Sequence, residues 1–175
     1  GGGGNDTLSA GGGNDTFRIA TSSGIDAIDG GAGTDRMEAT ANNVVIGLSA
    51  LSGVETITAN GFSGVKIVGT TAADAFDFSG TTLTGITLID GGSGNDTLTG
   101  SAGDDVLYGN AGTDVINAGG GNDTIRFGTA TGDVIDGGTG TNTLVAAANN
   151  ASVVWSNVSN VQAVSAATYT GVKIL

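Results

Sequence analysis

The side chains able to do chemistry in this chain are almost all aspartates. Of its 17 acidic residues 15 are Asp and only Glu38 and Glu55 are Glu, against five Lys or Arg and no His or Cys in 175 residues. Disulfides, structural zinc with its usual ligands, Ser–His or Cys–His nucleophiles and a histidine pH switch are thereby excluded. What remains is oxygen chemistry, because the short carboxylate favoured in turns is also a ligand for hard divalent cations. A net charge of −12 argues against nucleic acid and anionic membranes as partners. No run of 18 apolar residues suggests membrane insertion. A sequence opening at Gly1 without a signal-peptide pattern reads as a segment whose targeting signals lie elsewhere.

A nine-residue period places these aspartates. GGGGNDTLS from Gly1, GGAGTDRME from Gly30 and GGSGNDTLT from Gly91 all satisfy G-G-x-G-x-D-x-U-x, with U a large apolar residue. Frames from Gly100, Gly109 and Ala118 follow the third without a gap. Weaker copies start at Ala10, Thr21, Gly128 and Gly137, the last with Asn142 in place of Asp. The chain's 34 Gly come with no Pro, unlike collagen-like or linker-like compositions, so the glycines must be read by position. In one frame positions 7 to 9 are expected to be extended, with position 8 inward: Leu8, Phe17, Ile28, Met37, Leu98, Leu107, Ile116, Ile125, Ile135 and Leu144. Positions 1 to 6 then form a turn in which Gly takes backbone angles closed to other residues. Asn at position 5 (Asn5, Asn14, Asn95, Asn122) is expected for the same left-handed tolerance.

The frames define four blocks: 1–38 and 91–145 with the repeat, 39–90 without it, and 146–175 as a second, truncated copy of the motif-free block. Residues 24–68 match 131–175 without gaps, about 19 of 45 being identical, including Asn42-Asn43 with Asn149-Asn150. In the motif-free block, alternating apolar pairs recur at Val44/Ile46, Val65/Ile67, Phe76/Phe78 and Ile86/Leu88, with Val54 near Ile57. Their spacing suits a solenoid with looser turns, and it also suits a small β-sandwich.

Position 6 Asp would point into the gap between stacked turns. Strands in register lie about 4.8 Å apart, so successive carboxylates repel unless a cation intervenes. Calcium takes 6 to 8 oxygens, and a glycine turn exposes carbonyls beside each carboxylate. This pattern resembles the RTX nonapeptide repeat of secreted bacterial proteins, a calcium-binding β-helix repeat. The resemblance covers about 93 residues in the two blocks and is strongest in the unbroken frames from Gly91 to Arg126. It implies an all-β fold, a right-handed parallel β-roll or β-helix solenoid with Ca2+ between turns, two frames making one coil.

The implied carboxylate pairs, two frames apart, are Asp96 with Asp114, Asp105 with Asp123, Asp114 with Asp133, Asp6 with Asp26 and Asp15 with Asp35. The implied carbonyl ligands come from positions 1 and 3 of one turn and 2 and 4 of the next. They are Gly91 and Ser93 with Asn110 and Gly112, Gly100 and Ala102 with Gly119 and Gly121, Ala10 and Gly12 with Gly31 and Gly33, and Gly109 and Ala111 facing the turn from Gly128. Thr131 at position 4, the insertions at Ile19-Ala20 and Phe127, and Asn142 interrupt the pattern.

Asp29, Asp90 and Asp136 hold position 9 of a repeated Ile-Asp-Gly-Gly, where completing a site and initiating the turn both remain open. Asp74, Asp77 and Asp104 are expected in solvent, as are Lys66 and Lys173, and Trp155 and Tyr169 in the core by alignment with Leu48 and Phe62. Val106, Val115 and Val134 interrupt the Thr at position 7, which disfavours an ice-binding ladder. The resemblance implies a non-enzymatic structural repeat region of a secreted or cell-surface bacterial protein, of S-layer or adhesin type, exported by type I secretion and folding in calcium-rich medium. The alternative is the non-catalytic C-terminal module of a secreted protease, lipase or epimerase. A pectate-lyase-like calcium enzyme is disfavoured by the scarcity of basic residues. Expected partners are calcium ions and other modules of the same long chain, with self-assembly as a further option.

Overall fold

Six residues of turn in a nine-residue frame leave room for three extended residues. Those are the strands found: Thr97–Thr99, Val106–Tyr108 and Val115–Asn117 in consecutive frames. The computed structural model describes residues 1–21, 23–130 and 132–175; Ser22, in the frame from Thr21, and Thr131 lie outside the described residues.

Successive strands go to different sheets. Sheet I stacks nine in the order Thr7–Ser9, Ile25–Asp29, Val45–Ser52, Lys66–Val68, Ile89–Asp90, Val106–Tyr108, Thr124–Phe127, Thr143–Ala146 and Ala163–Ser165. The intervening strands make sheet II (Thr16–Ile19, Arg36–Ala39, Thr56–Thr58, Thr82–Thr84) and sheet III (Ala75–Asp77, Thr97–Thr99, Val115–Asn117, Val134–Asp136, Val158–Ser159). The pairings within these sheets are parallel, and the chain forms a β-solenoid of about 8 turns.

In-register stacking puts like positions over one another, so position 8 builds the core. Leu98, Ile116 and Ile135 form one inward column, and Ile89, Leu107, Ile125 and Leu144 another. All seven are at most 2 % exposed, whereas Leu8 and Phe17 in the first coil are half-buried. Such close stacking needs glycine: at Gly112 (φ 143°) a Cβ would collide with the Gly94 carbonyl of the preceding coil.

The motif-free block continues the solenoid and is not a sandwich. Val45–Ser52 lies between Ile25–Asp29 and Lys66–Val68, parallel to both, and Val44, Val65, Phe76 and Phe78 are buried as the alternation required. The Ile86/Leu88 pair is out of phase, however. Both are half-buried, and the inward residue is Ile89, which continues the column of Ile67. Here one coil carries two strands opposite sheet I. Ala75–Asp77 opens sheet III and Thr82–Thr84 closes sheet II, so the stack changes sheets within this block. The two long sequence copies consequently sit half a coil apart: Ile28 is in sheet I and its counterpart Ile135 in sheet III. Trp155, expected in the core from its match to Leu48, is instead 45 % exposed, because the chain after Ser152–Val153 turns through a 3-10 segment, Trp155–Asn157. Among the described residues no helix is long and apolar enough to cross a membrane.

Candidate metal centre

Every turn ends by delivering position 6 to the start of a strand, and the parallel register stacks these positions in columns. Where two acids stack, one carboxylate oxygen of the later position 6 Asp accepts the backbone N–H of its counterpart one coil earlier. Asp114 Oδ1 accepts from Asp96 at 2.9 Å, Asp123 Oδ1 from Asp105 at 2.9 Å and Asp133 Oδ1 from Asp114 at 3.0 Å. Asp26 Oδ1 accepts from Asp6 at 2.9 Å, and Asp35 Oδ1 from Asp15 at 2.7 Å. All five carboxylate pairs expected from the sequence are therefore stacked neighbours. The step is 18 residues in the unbroken frames, 19 past Phe127 and 20 in the first block, each insertion being absorbed within one coil.

The other oxygen is the informative one. Oδ2 of Asp6, Asp15, Asp35, Asp96, Asp114 and Asp123 is buried without a hydrogen-bond partner among the described residues. An unsatisfied buried acceptor costs about 1–3 kcal/mol and more when charged, so six of them on one motif position call for a shared counter-ion. Arginine does not supply it: Arg18 and Arg36 bond Glu38, and Arg126 lies over the Tyr108 ring. Among the described residues no three acids converge, so a cation here would draw on carbonyls as well. Those are available. Of the carbonyls implied by the resemblance, Ala111 and Gly119 each accept one backbone hydrogen bond, and the rest accept none among the described residues. A buried acid oxygen beside free carbonyls is a hard-oxygen donor set, which suits calcium.

Electrostatics agree. Burial pushes the carboxyls of Asp96, Asp105, Asp114 and Asp133 up from their ordinary value, against the lowering effect of the N–H donors, and raises Asp123 to about 6. Without a cation these groups resist ionisation. Asp105 differs from its neighbours, since Ser101 donates both N–H (2.7 Å) and Oγ–H (2.8 Å) to its Oδ2.

Several residues escaped the nonapeptide reading. Asp74, expected in solvent, is 8 % exposed and begins the Asp96 column; its N–H bonds Asp96 Oδ1 at 2.9 Å, and Thr70 N–H satisfies its Oδ2 at 2.6 Å. Glu55 continues the Asp15–Asp35 column, and Gln162 ends the column of Asp105, Asp123 and Asn142. None of the three sits in a glycine frame, and the coil-length spacing to the next acid is the only signal for them. The asparagines at position 5 are not left-handed; their Oδ1 accepts the N–H of the next coil, as Asn95 does from Thr113 at 2.9 Å. Asp104 is exposed as expected and makes the same bond to Asn122 at 2.7 Å. Exposed Asp77 has its carboxyl held down by the Ser79 hydrogen bonds. At position 9, Asp90 and Asp136 start the turn by accepting from Gly92 and Gly138, while Asp29 accepts from Ser52.

No curated protein and no solved structure is significantly similar to the chain. The family model of the RTX calcium-binding nonapeptide repeat matches it four times, over residues 1–18, 18–46, 90–125 and 127–150, leaving 47–89, 126 and 151–175 unmatched. With more than half of its length so matched, and with the buried acid columns falling on the matched turns, the chain belongs to the RTX calcium-binding nonapeptide repeat family.

Proposed function

We propose that this chain is the calcium-folded structural repeat region of a secreted or cell-surface bacterial protein, of S-layer or adhesin type. The observation that carries the reading is the repeated buried Oδ2 without a partner. In this reading Ca2+ lies between successive coils at the pairs Asp96/Asp114, Asp105/Asp123, Asp114/Asp133, Asp6/Asp26 and Asp15/Asp35, with the free turn carbonyls completing each shell. The blocks 1–38 and 91–145 are then calcium-dependent, and 39–90 and 146–175, which lack the nonapeptide frame, are spacers that join them to each other and to further modules of a long chain.

The charge explains why such a region suits export. At net −12 the unfolded chain repels itself, and a cation that binds only the native state shifts the equilibrium to folded once calcium is abundant. The test is circular dichroism during calcium titration. Calcium at about 0.1–1 mM should induce β-structure, and magnesium at equal concentration should do so poorly, because it demands tight octahedral geometry. Identical spectra in EDTA and in calcium would refute it.

A further inference from the structure

The structure assigns a further cation site, whose second wall lies outside the nonapeptide frames, to the step between the turn ending at Asp35 and the turn formed by Gly53, Val54 and Glu55. Asp35 is fully enclosed, its Oδ1 accepts from Asp15, and its Oδ2 has no partner. Its own N–H bonds Glu55 Oε2 at 2.7 Å, which seats a second carboxylate one coil on; no donor among the described residues bonds Glu55 Oε1. The Gly53 carbonyl leans over the Gly30 α-carbon, where a Cβ would collide with it and lie 2.7 Å from Asp35 Oδ2. Two acceptors converge there with no donor between them. The nonapeptide turn from Gly91 does the same: a Cβ on Gly91 would meet Asp96 Oδ2 and lie 3.0 Å from the Gly109 carbonyl.

The second sequence copy supplies an internal control. Asp35 aligns with Asn142 and Glu55 with Gln162. There Asn142 Nδ2 donates to the Gly137 carbonyl at 2.7 Å and the Asn160 carbonyl at 3.1 Å, while Gln162 Oε1 accepts from Asn142 N–H at 2.5 Å. The amide brings its own donors and closes the turn without a cation. In the first copy an oxygen stands where that amide nitrogen stands, so closure there requires a positive charge. A donor set of two carboxylates and a carbonyl suits a hard oxygen-seeking cation, and calcium is the one the neighbouring turns call for. The assignment rests on the reading of the nonapeptide turns as calcium sites.

Equilibrium dialysis of the full chain against calcium tests it. Glu55→Gln keeps the coil-to-coil hydrogen bond, as Gln162 shows, and should bind one calcium ion fewer than wild type, whereas exposed Asp77→Asn should lose none. Equal stoichiometry and affinity for wild type and Glu55→Gln would overturn the site while leaving the nonapeptide sites intact. A wild type that binds no calcium would overturn both. Should Glu55→Gln fail to fold in calcium, the reciprocal variant decides: Asn142→Asp with Gln162→Glu recreates the acid pair and should gain at least one ion, and no gain would overturn the assignment.

Discussion

Val44 and Val65 hold the same place in the coil as Asp105 and Asp123. Each stands two residues before an inward aliphatic of one sheet I column: Ile46, Ile67, Leu107 and Ile125. The backbone bond is also shared, Lys66 N–H to Val44 O at 3.1 Å and Thr124 N–H to Asp105 O at 2.8 Å. What differs is how the corner is filled. A valine buried at 0 % exposure fills it unaided, at about 1.5–3 kcal/mol of apolar burial per side chain. The aspartate leaves a charged oxygen needing a cation or a local donor. One backbone geometry thus accepts either a self-sufficient apolar corner or an acid corner, and the protein carries both along its axis.

The sharpest way to break this contrast is at the centre of the longest acid column. Asp114→Ala removes the acceptor of Asp96 N–H and a buried carboxylate oxygen that has no donor. It should raise the calcium concentration at the folding midpoint tenfold or more, equivalent to about 1.4 kcal/mol or more. Asp105→Ala should shift it less, because Ser101 already satisfies Asp105 Oδ2. Equal midpoints for the two variants would refute the distinction between satisfied and unsatisfied acids.

Val65→Ala probes the other chemistry. It deletes buried apolar volume and should cost about 2 kcal/mol in denaturant unfolding, with the same loss in EDTA and in calcium. A loss that grows with calcium would mean that the motif-free coils are metal-coupled too.

The calcium coils were the legible part of the sequence because glycine, aspartate and the inward aliphatic each sit at a fixed offset, and stacking needs all three. The five acid pairs follow from that period together with the two frames per coil that the family resemblance implies. Three features were not legible for local reasons. Glu55 and Asp74 enter their columns through the register of neighbouring strands, which a frame search cannot see. Ile89 displaces Ile86 and Leu88 as the inward residue because an extra strand, Thr82–Thr84, shifts the phase. The fate of Trp155 depends on where a strand stops, and alignment to Leu48 says nothing of that.

Acidity separates the two kinds of coil next. In the cation-free fold Asp123 has a raised carboxyl, about 6 against about 3.9 in an unfolded chain. A raised folded-state value means stability is fully present below about pH 4 and lost as pH rises toward 6. Asp96, Asp105, Asp114 and Asp133 shift the same way, while exposed Asp77 and half-buried Asp136 are lowered by hydrogen bonds and act in the opposite sense. The buried groups dominate by number and burial. In EDTA the melting temperature should therefore fall between pH 4 and pH 7, and saturating calcium should remove or reverse that slope. A flat or rising EDTA profile would contradict it.

The smallest expected effect lies at position 5, where charge rather than burial sets the sign. Asp104 stands where four other frames have Asn, makes the same bond to the next coil, and its charge helps push up the carboxyls of Asp105 and Asp123. Asp104→Asn keeps the hydrogen bond and removes the repulsion. It should stabilise the cation-free fold within the roughly 0.5 kcal/mol usual for surface changes. With one negative charge fewer beside the Asp105/Asp123 step, it should also weaken calcium binding slightly, and raised salt should shrink both effects because the group is exposed. Denaturant midpoints in EDTA and calcium midpoints at two ionic strengths measure the pair. If cation-free stability and calcium affinity both rise or both fall, charge at position 5 is not what couples it to the buried column, and the hydrogen bond from Asn122 is the whole of its role.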